Sequence, residues 1–346
     1  MFGFLTVALI IIQLPKKMKN NQINRRQALQ ATALVGAALL LPFEKISASV
    51  LPEAKTPPIT AGEIAAIDAA LGKKGSYKEA EQVYTIPLPR NDLKMKIKGE
   101  PVPIPFGFGG WVSFKKTTDG KSAMVMSDTV LLMEEVNPLI SAAHANGLEI
   151  AAIHNHFFYE EPRIFYMHIH GMGSMEDLAK KFAATIRDSK ISPANQPAPS
   201  APNPVTGKEN FDIPALDAIV KYPGTVNGPT YKYTVGRSDL KVMAMGVEMT
   251  TNIGLNSWAS FAGKQDDAHI AGDIAMLQSE VNPVIKTLRA NNLEVVAVHN
   301  HMLGDDPHMI FLHYYGRGNA LSLAKGFKAA LDVLGKKPEK MGGMKM

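Results

Sequence analysis

A chain of 346 residues, 46% hydrophobic and 20% charged, has the composition of an ordinary globular protein of about two domains at ~150 residues each, which excludes a disordered or fibrous chain. Its net charge of +5 lies entirely in residues 1–48, where six Lys and Arg stand against Glu44, so the remainder is about neutral, a basic patch has no global support and no nucleic-acid partner is expected. The absence of cysteine excludes disulfides, thiolate metal sites, cysteine nucleophiles and a lipid-modified cysteine.

Residues 1–48 read as an export signal. Asn24-Arg25-Arg26-Gln27-Ala28-Leu29 precedes an apolar run from Ala28 to Phe43 and the small residues Ile46-Ser47-Ala48-Ser49. A paired arginine before a short apolar run is the pattern of a twin-arginine signal, with cleavage near Ala48. The expected location is the periplasm or the cell exterior, with no stable membrane anchor in the mature chain. The apolar run from Met1 to Ile12 is too short to span a bilayer, and Met18 reads as the start of translation.

Residues 59–188 form the first of two repeats. Ile59 to Leu71 has helical spacing, with Thr60 as N-cap, Glu63 completing a capping box and Gly72 ending the helix. Strands are expected at Gln82–Leu88, Leu93–Lys98, Trp111–Phe114 and Ala123–Ser127, with a Pro/Gly-rich loop from Pro101 to Gly110. Asp128 reads as the cap of a helix running toward Asn146, which Pro138 should kink or split. A hairpin over Ile150–Gly173 follows, and Ser174 caps a helix to about Arg187.

Residues 189–210 hold five prolines among small polar residues and read as an extended linker that buries little. The second repeat, residues 211–335, then restates the first. Tyr231–Lys241 matches Tyr84–Lys94, Trp258–Phe261 matches Trp111–Phe114, and Asp273 matches Asp128. Val295–Gly318 matches Ile150–Gly173 without a gap. Residues 336–346 read as a disordered basic tail. The fold class is therefore α+β: an internal duplication into two subdomains, each a mostly antiparallel sheet covered by helices. A pseudo-twofold axis should relate them, which leaves open whether their equivalent faces meet.

The repeated hairpin carries the chemistry. Alternate strand residues share a face, so His154 and His156 project together. A turn around Glu161 would set His156 opposite Tyr166 and His154 opposite His168. The second copy gathers His299, His301 and His313 in the same way. Three neutral imidazoles suit a divalent metal such as Zn²⁺, with a position left for water. Glu161 and Asp306, at the hairpin turns, are the candidate general bases or fourth ligands, with Glu160 and Asp305 beside them. His170 is a further candidate in the first copy alone. Trp111 and Trp258 read as core-strand residues, with a ligand-stacking surface as the alternative. Arg90 with Asp92, and Arg237 with Asp239, read as structural ion pairs.

The HNHxxxxxPxxFxxH hairpin, the Asn-Pro helix before it, the duplication and the leader resemble the LppY/LpqO family of bacterial envelope proteins, over roughly residues 60–335. The absence of cysteine departs from the lipoproteins that named that family. The resemblance implies an envelope setting and no particular reaction. The residues themselves fit an exported metal-dependent hydrolase or lyase acting on a small polar molecule. A non-catalytic periplasmic metal- or ligand-binding protein, or a structural envelope protein whose histidines only hydrogen-bond, fits them as well.

Overall fold

The computed structural model describes residues 56–198 and 205–336. The expected export signal, and all but the first residue of the expected tail, lie outside these described residues. The first repeat starts with helix α1 (Ala61–Leu71), held by the expected Thr60–Glu63 capping box and ended by Gly72 at φ 65°. Strands β1 (Ser76–Lys78), β2 (Val83–Pro89), β5 (Gly109–Lys116), β6 (Ala123–Leu132), β7 (Glu149–His154) and β9 (Ile164–Gly173) build one sheet in the order β1-β2-β5-β6-β9-β7. Every pairing in it is antiparallel. A second, three-stranded sheet joins β3 (Lys96–Ile97), β4 (Glu100–Pro101) and β8 (Glu160–Glu161). Helix α2 (Met133–Ala145) precedes β7, and α3 (Met175–Ile186), capped by Ser174, follows β9.

The second repeat copies this plan. Helix α4 (Ile213–Val220) precedes β10 (Thr225–Asn227), β11 (Thr230–Gly236), β14 (Asn256–Lys264), β15 (Asp267–Leu277), β16 (Glu294–His299) and β18 (Met309–Gly318), which pair as β10-β11-β14-β15-β18-β16. Its small sheet joins β12 (Val242–Ala244), β13 (Val247–Met249) and β17 (Asp305–Asp306). Helices α5 (Val281–Ala290) and α6 (Ala320–Leu331) complete it. The expected α+β duplication is what the structure shows, and both repeats lie within one compact unit.

Helices cover one face of each sheet. In the first repeat Ile67, Leu71, Leu178, Phe182 and Ile186 meet Phe114, Val125, Met167 and Ile169. In the second, Leu216, Leu323 and Phe327 meet Phe261, Ile270, Leu312 and Tyr314. Each such side chain, fully buried, contributes about 1.5–3 kcal/mol. The other faces of the two sheets meet one another. One apolar cluster joins Val83, Met124 and Met126 to Val242, Met249, Ile253 and Phe311; another joins Phe106, Phe108, Phe157 and Tyr166 to Ala262, Ala271 and Tyr315. The layers therefore run helices, sheet, sheet, helices. Polar bonds tie the halves together: Glu81 accepts from Asn252 N at 2.8 Å and Nδ2 at 2.7 Å, and Thr118 N donates to Gly246 O at 2.9 Å.

The arginine pairs are structural, and larger than expected. Buried Arg90 donates to Asp92, to Glu135 at 2.7 Å and to Val130 O at 2.6 Å. Arg237 repeats this with Asp239, Glu280 and Ala275 O. Three local expectations change. Asp128 caps no helix, because β6 continues through it to Leu132 and α2 begins at Met133. Pro138 does not break α2, although it costs that helix one amide donor. The described flanks of the proline-rich segment are tied down rather than free. Ile191 is buried in the helix-side core, and the Gln196 side chain accepts from Asn91 N at 3.0 Å.

Candidate metal centre

The inner sheet faces carry the histidines. On β9, His168 lies opposite Asp128 of β6; on β18, His313 lies opposite Asp273 of β15. The outer neighbours, β7 and β16, end at His154 and His299, and the chain then carries His156 and His301 past the strand ends. The hairpin register differs from expectation. His154 pairs with Tyr166, and Ala152 with His168, after an irregularity between Ile150 and Ala152. In the second copy His299 pairs with Phe311 and Ala297 with His313. The shift is two residues. An even shift leaves each side chain on its original face, so the clusters survive it.

The two clusters merge into one. His154 and His299 stack across the pseudo-twofold axis with ring centroids 3.8 Å apart. Around that axis the separations repeat in pairs. His156–His313 at 3.6 Å mirrors His168–His301 at 4.2 Å, and His154–His168 at 4.9 Å mirrors His299–His313 at 4.7 Å. All six predicted ligands thus lie in one continuous cluster of rings. Three groups have potential ligand atoms mutually within 4.8 Å: His154, His156 and His313; His154, His168 and His299; and Asp273, His299 and His313. These buried His and Asp groups could hold a metal ion. Neither His301 nor His170 joins any of them; His301 lies against Asp273, and His170 lies beside Glu149 at 3.7 Å.

Backbone carbonyls fix three of the rings. His168 Nδ1 meets Ser127 O at 3.1 Å, His313 Nδ1 meets Gly272 O at 3.0 Å, and His301 Nδ1 meets Gly254 O at 3.2 Å. A carbonyl only accepts, so each Nδ1 carries the proton and each Nε2 presents a lone pair to the centre. This is the outer-shell bond that orients metal-ligating histidines. Nε2 of His168 and of His313 has no hydrogen-bond partner, and neither has either nitrogen of His299 or either oxygen of Asp273. His301 Nε2 lies 3.0 Å from Asp273 Oδ2, and His154 Nε2 lies 3.2 Å from His156 Nε2. The first contact sets a lone pair against a carboxylate oxygen, an arrangement that needs a proton or a metal ion between the two. Tetrahedral ligands at the usual zinc–nitrogen distance lie about 3.3 Å apart, close to both separations.

Electrostatics agree with neutral ligands. Burial, above all, pushes all six imidazoles down, to about 3 for His301 and about 4 for His313. Mutual repulsion adds to this for every ring but His301; for His154 the largest such contribution comes from His299. Burial raises both Asp128 and Asp273, and Asp273 raises Asp128 further. Lys232 is lowered to about 8 by burial, opposed by the attraction of both aspartates, and keeps its charge at neutral pH.

A pocket of about 390 Å³ opens onto the Asp128, Asp273 and His301 side of the centre. Trp111, Trp258 and Lys232 line it, with Thr85 and Asn252. The two tryptophans are thus half-buried pocket walls. The hairpin acids are elsewhere. Glu161 and Asp306 are exposed, because β8 and β17 pair outward with Lys96 of β3 and Met243 of β12 rather than folding back over the histidines. Their neighbours brace the turns: Glu160 binds Arg163 at 3.0 Å, and Asp305 accepts from Met309 N at 2.6 Å. The carboxylates at the centre are Asp128 and Asp273. Sequence reasoning aligned them as a matched pair but assigned Asp128 to a helix cap and gave Asp273 no site role. Lys232 was also missed; nothing matches it in the first repeat, where Thr85 takes its place.

A family model described as Domain of Unknown Function (DUF1259) matches residues 65–188 and again 214–333. No curated protein matches the sequence. Among solved structures, the chain is similar to a double-ringed trimeric shell protein of the RMM microcompartment, at 11% identity and a TM-score of 0.17, over 62% of this chain and 83% of that one. It is also similar to EtuB from Clostridium kluyveri, at 9% identity and a TM-score of 0.18, over 75% of this chain and 91% of that one. Likenesses at these TM-scores carry no argument. Among the described residues no helix is long and apolar enough to cross a membrane.

Proposed function

The chain belongs to the family described as Domain of Unknown Function (DUF1259), carried twice, and from the centre its two copies share we propose that it is an exported metal-dependent enzyme, a hydrolase or lyase acting on a small polar substrate. One observation carries this reading. Buried lone pairs face one another, with His301 Nε2 at 3.0 Å from Asp273 Oδ2 and three Nδ1 protons committed to carbonyls. A divalent cation satisfies such a set; imidazole with carboxylate suits Zn²⁺ among the borderline ions. Bound there, the ion would supply Lewis acidity toward a substrate oxygen. Asp273 belongs to a ligand group, whereas Asp128 lines the pocket without joining one. Asp128 is therefore the group to take or return a proton, at a carboxyl whose proton affinity burial has raised. The paired-arginine leader and the likeness of the hairpin to the LppY/LpqO envelope proteins support a periplasmic or secreted setting.

A non-catalytic periplasmic metal-binding protein is the second reading, favoured by the near-complete burial of His168 and His313. Protein purified without chelator or histidine tag, refilled with Zn²⁺, Mn²⁺, Cu²⁺ or Fe²⁺ and screened on ester, phosphoester and lyase substrates separates the two. Turnover that needs bound metal, and that Asp128→Asn removes without removing the metal, supports the enzyme. Retained metal with no turnover on any substrate class favours the binding protein. Failure to retain any of the four metals overturns both.

A further inference from the structure

The two repeats are near copies around the centre, and Lys232 breaks the symmetry. The position equivalent to Lys232 is Thr85, whose hydroxyl is already engaged by Ser113 at 2.7 Å. Lys232 instead holds its ammonium 4.4 Å over the Trp258 ring, at the pocket wall. Among the described residues that ammonium forms no hydrogen bond and no ion pair; Asp128 and Asp273 attract it only from a distance. Lys78 also lines the pocket and is exposed.

The pocket's cationic side follows from its lining, and its use rests on the metal reading above. Lys232 and Lys78 are the two lysines of a pocket walled by Trp111 and Trp258, and a divalent ion at the centre would add positive charge beside them. From this juxtaposition we infer that the pocket selects a small organic oxyanion, a carboxylate or phosphate with an apolar or ring-shaped body, and that Lys232 is its specificity-determining contact. Lys232 is half-buried, with its ammonium set against an aromatic face, so pairing it with an anion orders little further. The apolar body takes up the indole surfaces, and the oxyanion is directed to the Lys232 side of the centre.

The chain contains two tryptophans, Trp111 and Trp258, so its indole fluorescence reports on this pocket alone. The test titrates the metal-loaded full chain with benzoate, phenyl phosphate and the neutral benzamide, with metal content measured on the same samples. The expected result is saturable fluorescence change with either anion and binding of benzamide at least about tenfold weaker, the scale of one charge-assisted hydrogen bond. The tighter of the two anions identifies the headgroup. Lys232→Thr, which restores the residue of the first repeat, should lose about tenfold in anion affinity with metal content unchanged, and Lys232→Arg should retain the anion preference. Equal binding of benzoate and benzamide, or full anion affinity in Lys232→Thr, overturns the inference while bound metal leaves the metal reading standing. Absence of metal in the wild type overturns that reading, and this inference with it.

Discussion

Acidifying the metal-free chain should unfold it well before an ordinary globular protein fails. Burial holds His301 near about 3 and His313 near about 4, against an ordinary value of 6.5. In the unfolded chain both rings take up protons as pH falls through 6.5, while the folded chain keeps them neutral until its own lower values are reached. The unfolded state therefore binds more protons in that window, and stability falls as pH falls. By about pH 5 each of these two rings costs about 2 kcal/mol, about 4 together. His154, His156, His168 and His299 are lowered too and act in the same direction. Asp128 and Asp273, both raised, oppose them, because the folded state takes up those protons first. Six lowered rings stand against two raised carboxyls, and the about 4 kcal/mol from His301 and His313 alone is a large part of a typical total of about 5–15 kcal/mol. The assay is the urea midpoint of chelator-treated protein, followed by circular dichroism from about pH 8 to about pH 5. A steep fall below about pH 6.5, moved to lower pH by refilling with Zn²⁺, is expected. A midpoint flat across that range would refute the buried, neutral imidazoles.

Other consequences are as direct. Arg90→Met or Arg237→Met strips a buried guanidinium from Glu135 or Glu280 and from a carbonyl, and should cost about 3–5 kcal/mol in urea unfolding; a loss below about 1 kcal/mol would show these networks to be idle. Glu161→Gln and Asp306→Asn should leave metal content and affinity unchanged, since both acids are exposed and paired outward. Asp273→Asn should weaken metal retention by about tenfold or more in a competition with a fluorescent chelator, and equal retention would remove Asp273 from the centre. Gly272→Ala places a methyl group 2.1 Å from Trp258 O, so it should lower the melting temperature by an amount equivalent to about 1–3 kcal/mol. An unchanged melt would show that β14 and β15 can separate there without cost.

The histidine face was legible because strands have period two and because the same pattern occurs twice. Even a hairpin register wrong by two residues put His154, His156 and His168 on the right side. Capping signals worked where they were local: Thr60 with Glu63, Gly72 and Ser174 do what their types predict. Asp128 misled because an acid after a short apolar run reads as a helix cap. In fact β6 is buried on both faces and runs on through Asp128 to Leu132. The usable signal was the recurrence of the same acid, Asp273, amid the equally apolar β15. Glu161 and Asp306 misled for the opposite reason. Their pairing partners, Lys96 and Met243, lie some sixty residues earlier, and no local pattern announces them. The meeting of the two faces was not readable at all. Duplication implies an axis and does not say which surfaces lie on it.

Metal stoichiometry is the most direct measurement. Elemental mass spectrometry on protein purified without chelator or histidine tag would compare the wild type with His154→Ala/His156→Ala and His299→Ala/His301→Ala, each checked for folding by circular dichroism. Because the six rings form one centre, with His154 stacked on His299 at 3.8 Å, either double variant should empty it completely. Loss of half the metal with each variant would mean two independent sites, and a wild type that binds none would mean no metal centre.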